Sequence, residues 1–372
     1  MLYLLGIILG LLNFIDCGIF GLGEIFFIFI LFIMIPKKKQ KKSYVIHFKN
    51  NFNTELKNIF IFIIFLCAYI LYSNININFV LKSVIKWLTI FIEMYLIYKS
   101  LKNNPKTIEL LITFILFSKL AEYHNFNSVY SLHYFFIIPV FNLLYIKNNS
   151  NRYKYLLYIV YLIYFLIGKS RSALILMILC IACEWMEYIY LNLKSGNLNK
   201  KIKSLAIIFI FMIGSFISFN YIESNISEST ESNDERRILI QIVFEEIKDH
   251  PIIGVGPINF NNYAQNILGY RLRNEQLTPH NLYLEILCEN GIIGLILFLN
   301  IIKIILKTIK SKQTDMSVKF AAIYVLAYYM FATFTGTNRI VFTILFSVIA
   351  YKYYETLKEN GDEENICNCT NL

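Results

Sequence analysis

The chain has 372 residues, of which 57% are hydrophobic and only 16% are charged, and its mean hydropathy is +0.54. A soluble domain usually carries about 25% charged residues, so this composition argues against an ordinary soluble protein. The formal charge of +10 does not indicate nucleic-acid binding, because the Lys residues lie between long apolar blocks. Lysines in such connections are typical of membrane topology.

The apolar blocks predict an all-α, polytopic membrane protein with about twelve transmembrane helices. The N-terminal block, 1–35, is too long for one span and lacks the features of a cleavable signal peptide, so it predicts a hairpin. The predicted spans lie at about 2–15, 18–35, 58–73, 77–98, 107–122, 131–146, 155–168, 173–192, 205–222, 282–307, 317–335 and 340–354.

The connections between these spans alternate in charge. One set contains 24 Lys and Arg residues, and the other contains 8. Basic residues accumulate on the cytoplasmic side, so both termini are predicted inside and the large loop outside. The predicted organisation is nine helices in 1–222, an extracytoplasmic loop with short helices in 223–281, three helices in 282–354 and a cytoplasmic tail in 355–372.

The outer set is also chemically unusual, because arginine dominates it. Its members are Lys169, Arg171, Arg236, Arg237, Lys248, Arg271, Arg273 and Arg339. The cytoplasmic set is nearly all lysine, with Arg152 as the exception. Lysine suffices for topology, whereas the guanidinium fork of arginine binds phosphate through two parallel hydrogen bonds. The bias predicts a site for an anionic ligand on the outer face.

Metal and disulfide sites are not predicted. Most of the seven cysteines lie inside apolar blocks, and the large loop has none, which argues against a disulfide framework. Cys367 and Cys369, two residues apart, are too few for a metal site.

The segment Gly168-Lys169-Ser170-Arg171-Ser172 lies between two predicted spans at the outer face. It lacks the upstream glycine of a phosphate-binding P-loop, so we reject that interpretation. Two interpretations stay open. The segment is either a tight turn with basic side chains reaching the membrane surface or an anion site at a helix N-terminus.

The large loop begins with an acidic, Ser-rich stretch, Glu223–Glu235, which we expect to be mobile. An amphipathic helix is predicted to start near Arg236, and a turn-rich segment, His250–Pro257, follows it. The expected apolar stripe of this helix consists of Ile238, Ile242, Phe244 and Ile247.

Pro279-His280-Asn281 precedes a span that contains Gly291 and Gly294. The two glycines predict close packing between helices. An isolated histidine at a membrane interface often has no catalytic role. Several arginines nearby would disfavour its protonation, however, and keep His280 available as a base.

Four segments together resemble the O-antigen ligase and O-antigen polymerase family. His280-Asn281, nine residues and Gly291-x-x-Gly294 resemble its His-[Asn/Ser/Gln]-x9-Gly-x-x-Gly motif. The segments that resemble the rest of the family pattern are His250–Phe260, the loop arginine at Arg236, and Ser170-Arg171-Ser172. The family often has Trp where this chain has Ile240, and the adjacent Arg236 and Arg237 leave the register of the functional arginine open. The firm resemblance covers about residues 165–300.

The resemblance implies a metal-independent glycosyl transfer without a cofactor. The implied donor is an oligosaccharide on undecaprenyl diphosphate, and the acceptor is a glycan at the periplasmic or external face of the bacterial inner (cytoplasmic) membrane. Arg171 and Arg236 or Arg237 would hold the diphosphate, and His280 would be the base. Second-tier anion contacts would come from Lys169, Ser170, Arg271, Arg273 and Arg339. Glu285 and Glu289 are interpreted as polar groups that line a cavity or pack between helices.

We favour a repeat-unit polymerase over a ligase that transfers glycan to lipid A-core. The alternative from another class is a flippase for lipid-linked oligosaccharide or another polyprenyl-phosphate transporter. Transporters place charges near the bilayer midplane, in broken or repeated helices, whereas the arginines here are predicted at the outer surface. A receptor or scaffold that uses the loop only for binding is a third interpretation.

Overall fold

The computed structural model describes a little over half of the chain. The described residues are 2–12, 22–34, 51–71, 75–108, 110–111, 114–115, 118, 189, 192–194, 197–202, 204–205, 230–268, 278–330 and 338–359. Within these residues the structure is helical and contains no strand, which confirms the all-α prediction for this part of the chain. Five predicted spans, at 107–122, 131–146, 155–168, 173–192 and 205–222, lie wholly or largely outside it.

The helices of the N-terminal region are followed by those of the loop and of the C-terminal region. In chain order they are α1 (Leu2–Leu12), α2 (Leu22–Met34), α3 (Asn51–Ala68, continued by a 3-10 turn to Leu71), α4 (Ile77–Asn103), α5 (Thr230–Asp249), α6 (Phe260–Leu268), α7 (Leu282–Ile301), α8 (Lys303–Lys310), α9 (Met316–Tyr328) and α10 (Asn338–Glu359).

Three of the described helices are long and apolar enough to cross a membrane, at Phe52–Leu71, Leu282–Ile301 and Asn338–Leu357. Leu22–Met34 is a shorter apolar helix. The third long helix is 78% buried over its apolar window, against 39% for the other two. Helix α10 is therefore central, and it packs chiefly against α4, while α3 lies between α4 and α7.

Local residue choice explains several helix ends. The Asn76 side chain accepts a hydrogen bond from the Asn78 amide at 2.9 Å and caps the start of α4. Helix α4 ends at Asn103, two residues before Pro105, because the residue before a proline disfavours helical backbone. The predicted span at 282–307 is not one helix. It is interrupted at Gly291 and ends at Ile301, and the amphipathic α8 begins at Lys303.

The loop helix also differs from its prediction. Helix α5 begins at Thr230, so the last part of the stretch expected to be mobile is helical. Its buried apolar residues include Leu239, Ile242 and Val243, whereas Phe244 is 54% exposed. The proposed stripe was wrong at Phe244, because two residues turn a helix by about 200° and place this side chain opposite Ile242.

Candidate active site

The centre of the candidate site is a break in α7. Gly291 has φ of 63° and ψ of −168°, which no helix contains. At this break the backbone carbonyls of Cys288 and Glu289 and the amides of Ile292 and Ile293 cannot complete the regular helical pattern. Buried backbone groups require partners, so another segment has to supply them.

The turn-rich segment of the loop, Pro251–Gly256, supplies those partners. The Val255 amide donates to the Cys288 carbonyl at 3.1 Å, and the Gly256 amide donates to the Glu289 carbonyl at 2.9 Å. In the other direction, the Ile292 amide donates to the Pro251 carbonyl at 3.0 Å, and the Ile293 amide donates to the Ile252 carbonyl at 3.3 Å. The loop is therefore docked into the helix break by four backbone hydrogen bonds.

Two glycines make this docking possible. A Cβ atom at Gly254 would overlap the Cys288 carbonyl, and one at Gly291 would overlap the Ile252 carbonyl. Both residues also have positive φ, at 69° and 63°, a backbone conformation in which residues other than glycine are strained. The sequence prediction that Gly291 serves helix–helix packing was wrong, because it admits the loop backbone. The space at Gly294 instead adjoins its own helix and Phe65 of α3.

His280 lies directly before α7. Its side chain is exposed, and its backbone has φ of 48°. A non-glycine residue in this left-handed region is uncommon and costs about 1–3 kcal/mol, and such residues cluster at functional sites. The neighbouring Asn281 caps α7, because its side-chain oxygen accepts hydrogen bonds from the amides of Tyr283 at 3.0 Å and Leu284 at 3.1 Å.

The start of α7 is tied to the end of α9. The Leu282 amide donates to the Tyr329 carbonyl at 3.0 Å, and the Tyr283 hydroxyl donates to the Leu326 carbonyl at 3.1 Å. These bonds, together with the Asn281 cap, fix the backbone on which His280 is held. The histidine is thus presented from a rigid position.

The arginine-bearing helix packs on the same α7. Helix α5 carries Arg236 and Arg237, and Arg237 is exposed. A small core joins α5, α6 and α7, and it consists of Leu239, Ile242, Val243, Phe260, Ala264 and Cys288. The structure thus brings the helix that carries both arginines against the helix that His280 precedes.

A lysine that the sequence analysis did not single out interacts with α7. Lys86 of α4 interacts electrostatically with Glu285 and Glu289 and with Arg339. The backbone amides of Ile258 and Phe260, the latter at the start of α6, lie beside the Glu289 carboxylate. These contacts agree with the interpretation of both glutamates as polar groups that pack between elements. Ionisable residues inside apolar blocks are the signal that could have identified Lys86.

Arg339 is buried. One guanidinium nitrogen contacts Glu24 of α2, and the other lies 3.4 Å from Glu93 of α4. Sequence reasoning placed Arg339 among the outer anion contacts. The structure shows its guanidinium between two acidic side chains and gives it a role in joining α10 to α2 and α4. The signal for this cluster was again the presence of Glu24 and Glu93 within apolar blocks.

The remaining predicted site residues lie outside the described residues. They are Lys169, Ser170, Arg171, Arg271 and Arg273. Their roles stay predictions.

Comparison with known proteins identifies the domain that contains this arrangement. Residues 132–299 match the model of a family described as O-antigen ligase, and the matched range includes α5, the docked loop, His280 and the break in α7. A search of curated proteins found no match. The family and the apolar helices together indicate a membrane protein. The match covers residues 132–299, and it supports the resemblance of this part of the chain to the O-antigen ligase and O-antigen polymerase family.

Proposed function

We propose that the protein is a repeat-unit polymerase of surface polysaccharide. It would transfer an oligosaccharide from undecaprenyl diphosphate to an acceptor glycan at the external face of the inner membrane. The O-antigen ligase domain supports a membrane glycosyltransferase acting on surface polysaccharide. The observation that carries the proposal further is the loop docked into α7, which brings the arginine-bearing α5 to the helix that follows His280.

In the proposed reaction the acceptor hydroxyl attacks the anomeric carbon of the donor sugar. The imidazole of His280 takes the hydroxyl proton as the new carbon–oxygen bond forms, because an unassisted hydroxyl is a poor nucleophile. The bond between the anomeric carbon and the diphosphate oxygen breaks, and undecaprenyl diphosphate leaves with the electron pair. The exposed position and fixed backbone of His280 support this role.

The leaving diphosphate gains negative charge in the transition state. Fixed guanidinium groups at such a position stabilise the developing charge without reorganising. In the proposal Arg171 and either Arg236 or Arg237 bind the diphosphate, with Lys169, Ser170, Arg271 and Arg273 as further contacts. Arg339 is left out of this set, because two carboxylates already hold its guanidinium.

The test replaces His280, Arg171, Arg236 and Arg237 singly with Ala in cells that depend on this protein for their surface glycan. We expect His280→Ala, Arg171→Ala and one of the two variants Arg236→Ala and Arg237→Ala to reduce transfer by about 100-fold or more, in line with removal of a general base or a charge-stabilising donor. Glycan chain length on gels and the level of lipid-linked donor are the measurements. Lys248→Ala is the matched control for the arginines, since it removes a cation from the exposed side of the same α5.

The pattern of loss separates the candidate activities. Loss of long chains with single units retained would support a polymerase, whereas loss of all glycan from the lipid core would support a ligase. Accumulation of lipid-linked donor on the cytoplasmic side alone would point to a flippase. Normal glycan in all four variants, with protein inserted at the level of the unsubstituted chain, would contradict the enzymatic proposal.

A further inference from the structure

A carboxyl group is buried in the contact between α5 and α7. Glu246 of α5 has no exposed surface, and it lies beside Cys288, a member of the small core that joins α5, α6 and α7. The other buried residues of α5, Leu239, Ile242 and Val243, are apolar, whereas its exposed face is charged and includes Glu245 and Lys248. The carboxyl group of Glu246 therefore interrupts an otherwise apolar buried face.

The surroundings of Glu246 do not favour its charged form. Neither carboxyl oxygen has a hydrogen-bond partner. The polar groups beside it are the Cys288 thiol and the Val255 amide, but that amide already donates to the Cys288 carbonyl at 3.1 Å. An ionised carboxylate in such a place loses its hydration without compensation.

The titratable neighbours of Glu246 offer no positive charge. They are Asp249 on α5, Tyr263 on α6 and Cys288 on α7, with Glu285 and Glu289 acting on Cys288 from its own helix. Burial raises the pKa of Glu246 from 4.5 to about 7, and the negative charge of Asp249 acts in the same direction. The group thus takes up a proton when α5 is in place.

We propose that Glu246 is a positioning residue. Its neutral carboxyl allows α5, which carries Arg236 and Arg237, to dock against α7, the helix that follows His280. The effect on docking follows from the contacts of Glu246 alone. Its importance for transfer rests on the proposed function of the two arginines.

The pH dependence has a definite sign. With α5 detached, the carboxyl has its ordinary pKa of 4.5, and with α5 docked its pKa is about 7. Docking therefore binds a proton between these two values, and its equilibrium constant falls about tenfold for each pH unit from 5 to 7. Well below pH 4.5 the carboxyl is neutral in both states, and well above pH 7 it is charged in both, so docking is constant there.

Hydrogen exchange of the α5 amides in the full-length protein in lipid nanodiscs tests the proposal. We expect protection in the unsubstituted protein, corrected for intrinsic exchange, to fall at least tenfold between pH 5.5 and pH 7 and then to level off. Glu246→Gln keeps the shape and removes the charge, so its protection should be higher at pH 7 and flat across this range. Glu245→Gln is the matched control, because Glu245 is exposed, and it should follow the unsubstituted protein.

Protection that is flat in the unsubstituted protein, or that falls equally in Glu246→Gln, would overturn the proposal. Glu246→Leu is a second neutral variant and should behave like Glu246→Gln if the glutamine protein does not fold. Failure of the proposed function would look different. In that case the pH dependence would disappear with Glu246→Gln, while Ala at Arg236 and Arg237 would leave glycan transfer intact.

Discussion

The region around the α7 break and the region around α10 are held together by different means. At the break, loop and helix meet through four hydrogen bonds between backbone groups, at positions where two glycines leave room. Around α10, side chains make the contacts: Arg339 joins Glu24 and Glu93, and the Tyr328 hydroxyl donates to the Asn338 side chain at 3.0 Å. The stability of the first region should therefore be lowered by side-chain atoms added at the glycines. The stability of the second should be lowered by removal of the side chains that form its contacts.

The largest loss of stability is expected from removal of the buried cation. Arg339→Gln leaves Glu24 and Glu93 buried without their shared guanidinium, and breaking a buried ion pair typically costs about 3–5 kcal/mol. Thermal unfolding in lipid nanodiscs measures the effect. The control is Lys352→Gln on the same helix, whose partner Glu355 lies 2.7 Å away in a partly exposed pair, and which should cost less than about 1 kcal/mol. An equal loss of stability in the two variants would contradict the stabilising role of the buried Arg339 ion pairs.

A single added methyl group should have the next largest effect. Gly291→Ala places a Cβ against the Ile252 carbonyl at positive φ, and strain of this kind costs about 2–4 kcal/mol. We expect a lowered unfolding temperature and faster proteolysis of the loop. Ile296→Ala removes atoms from an exposed side chain in the second half of α7 and should leave the loop protected. A Gly291→Ala variant with a protected loop would show that the backbone docking is dispensable.

The helix cap next to His280 should have a smaller effect. Asn281→Ala removes the oxygen that accepts from the Tyr283 and Leu284 amides, and loss of such a cap costs about 1 kcal/mol. Asn281→Ser retains a capping oxygen and should recover most of that stability. Unfolding temperatures of the three proteins decide the matter, and a serine variant as unstable as the alanine variant would argue against the capping role.

The smallest stability effect is expected at His280 itself. Asparagine tolerates left-handed backbone better than other non-glycine residues, so His280→Asn should leave stability unchanged or raise it by up to about 1 kcal/mol. Glycan transfer should nevertheless be lost, because the amide is no base. His250→Asn makes the same change at another exposed histidine of the loop and should retain transfer. A destabilised His280→Asn protein would indicate that the histidine is structural.

Sequence patterns predicted the helical class and the neighbourhood of the site, because apolar blocks and turn residues are local features. They placed His280 at the start of a helix and a turn at His250–Pro257, and the structure has both. They did not predict that Pro251–Gly256 docks at Gly291. That contact depends on the positive φ of two glycines and on unpaired backbone groups, and these are not visible in residue type or periodicity.

The distribution of Lys and Arg along the chain identified arginines near the candidate site, but it did not predict which acidic side chains they contact. The arginine bias of the outer connections singled out Arg236 and Arg237, and both lie on the helix that packs against α7. The same bias included Arg339, whose surroundings depend on Glu24 and Glu93, which lie more than 200 positions earlier in the chain. Pairings over such distances are set by the packing of α2, α4 and α10.

The docked loop also has a consequence for the biogenesis of the protein. The break at Gly291 lies nine residues beyond Leu282, which is about 14 Å along the helix axis at 1.5 Å per residue. Unpaired amides and carbonyls at that depth would oppose insertion into hydrocarbon, where each one costs several kcal/mol. Pro251–Gly256 precedes α7 in the chain, so during synthesis it leaves the ribosome first. The partner segment is therefore already made when the broken helix enters the bilayer.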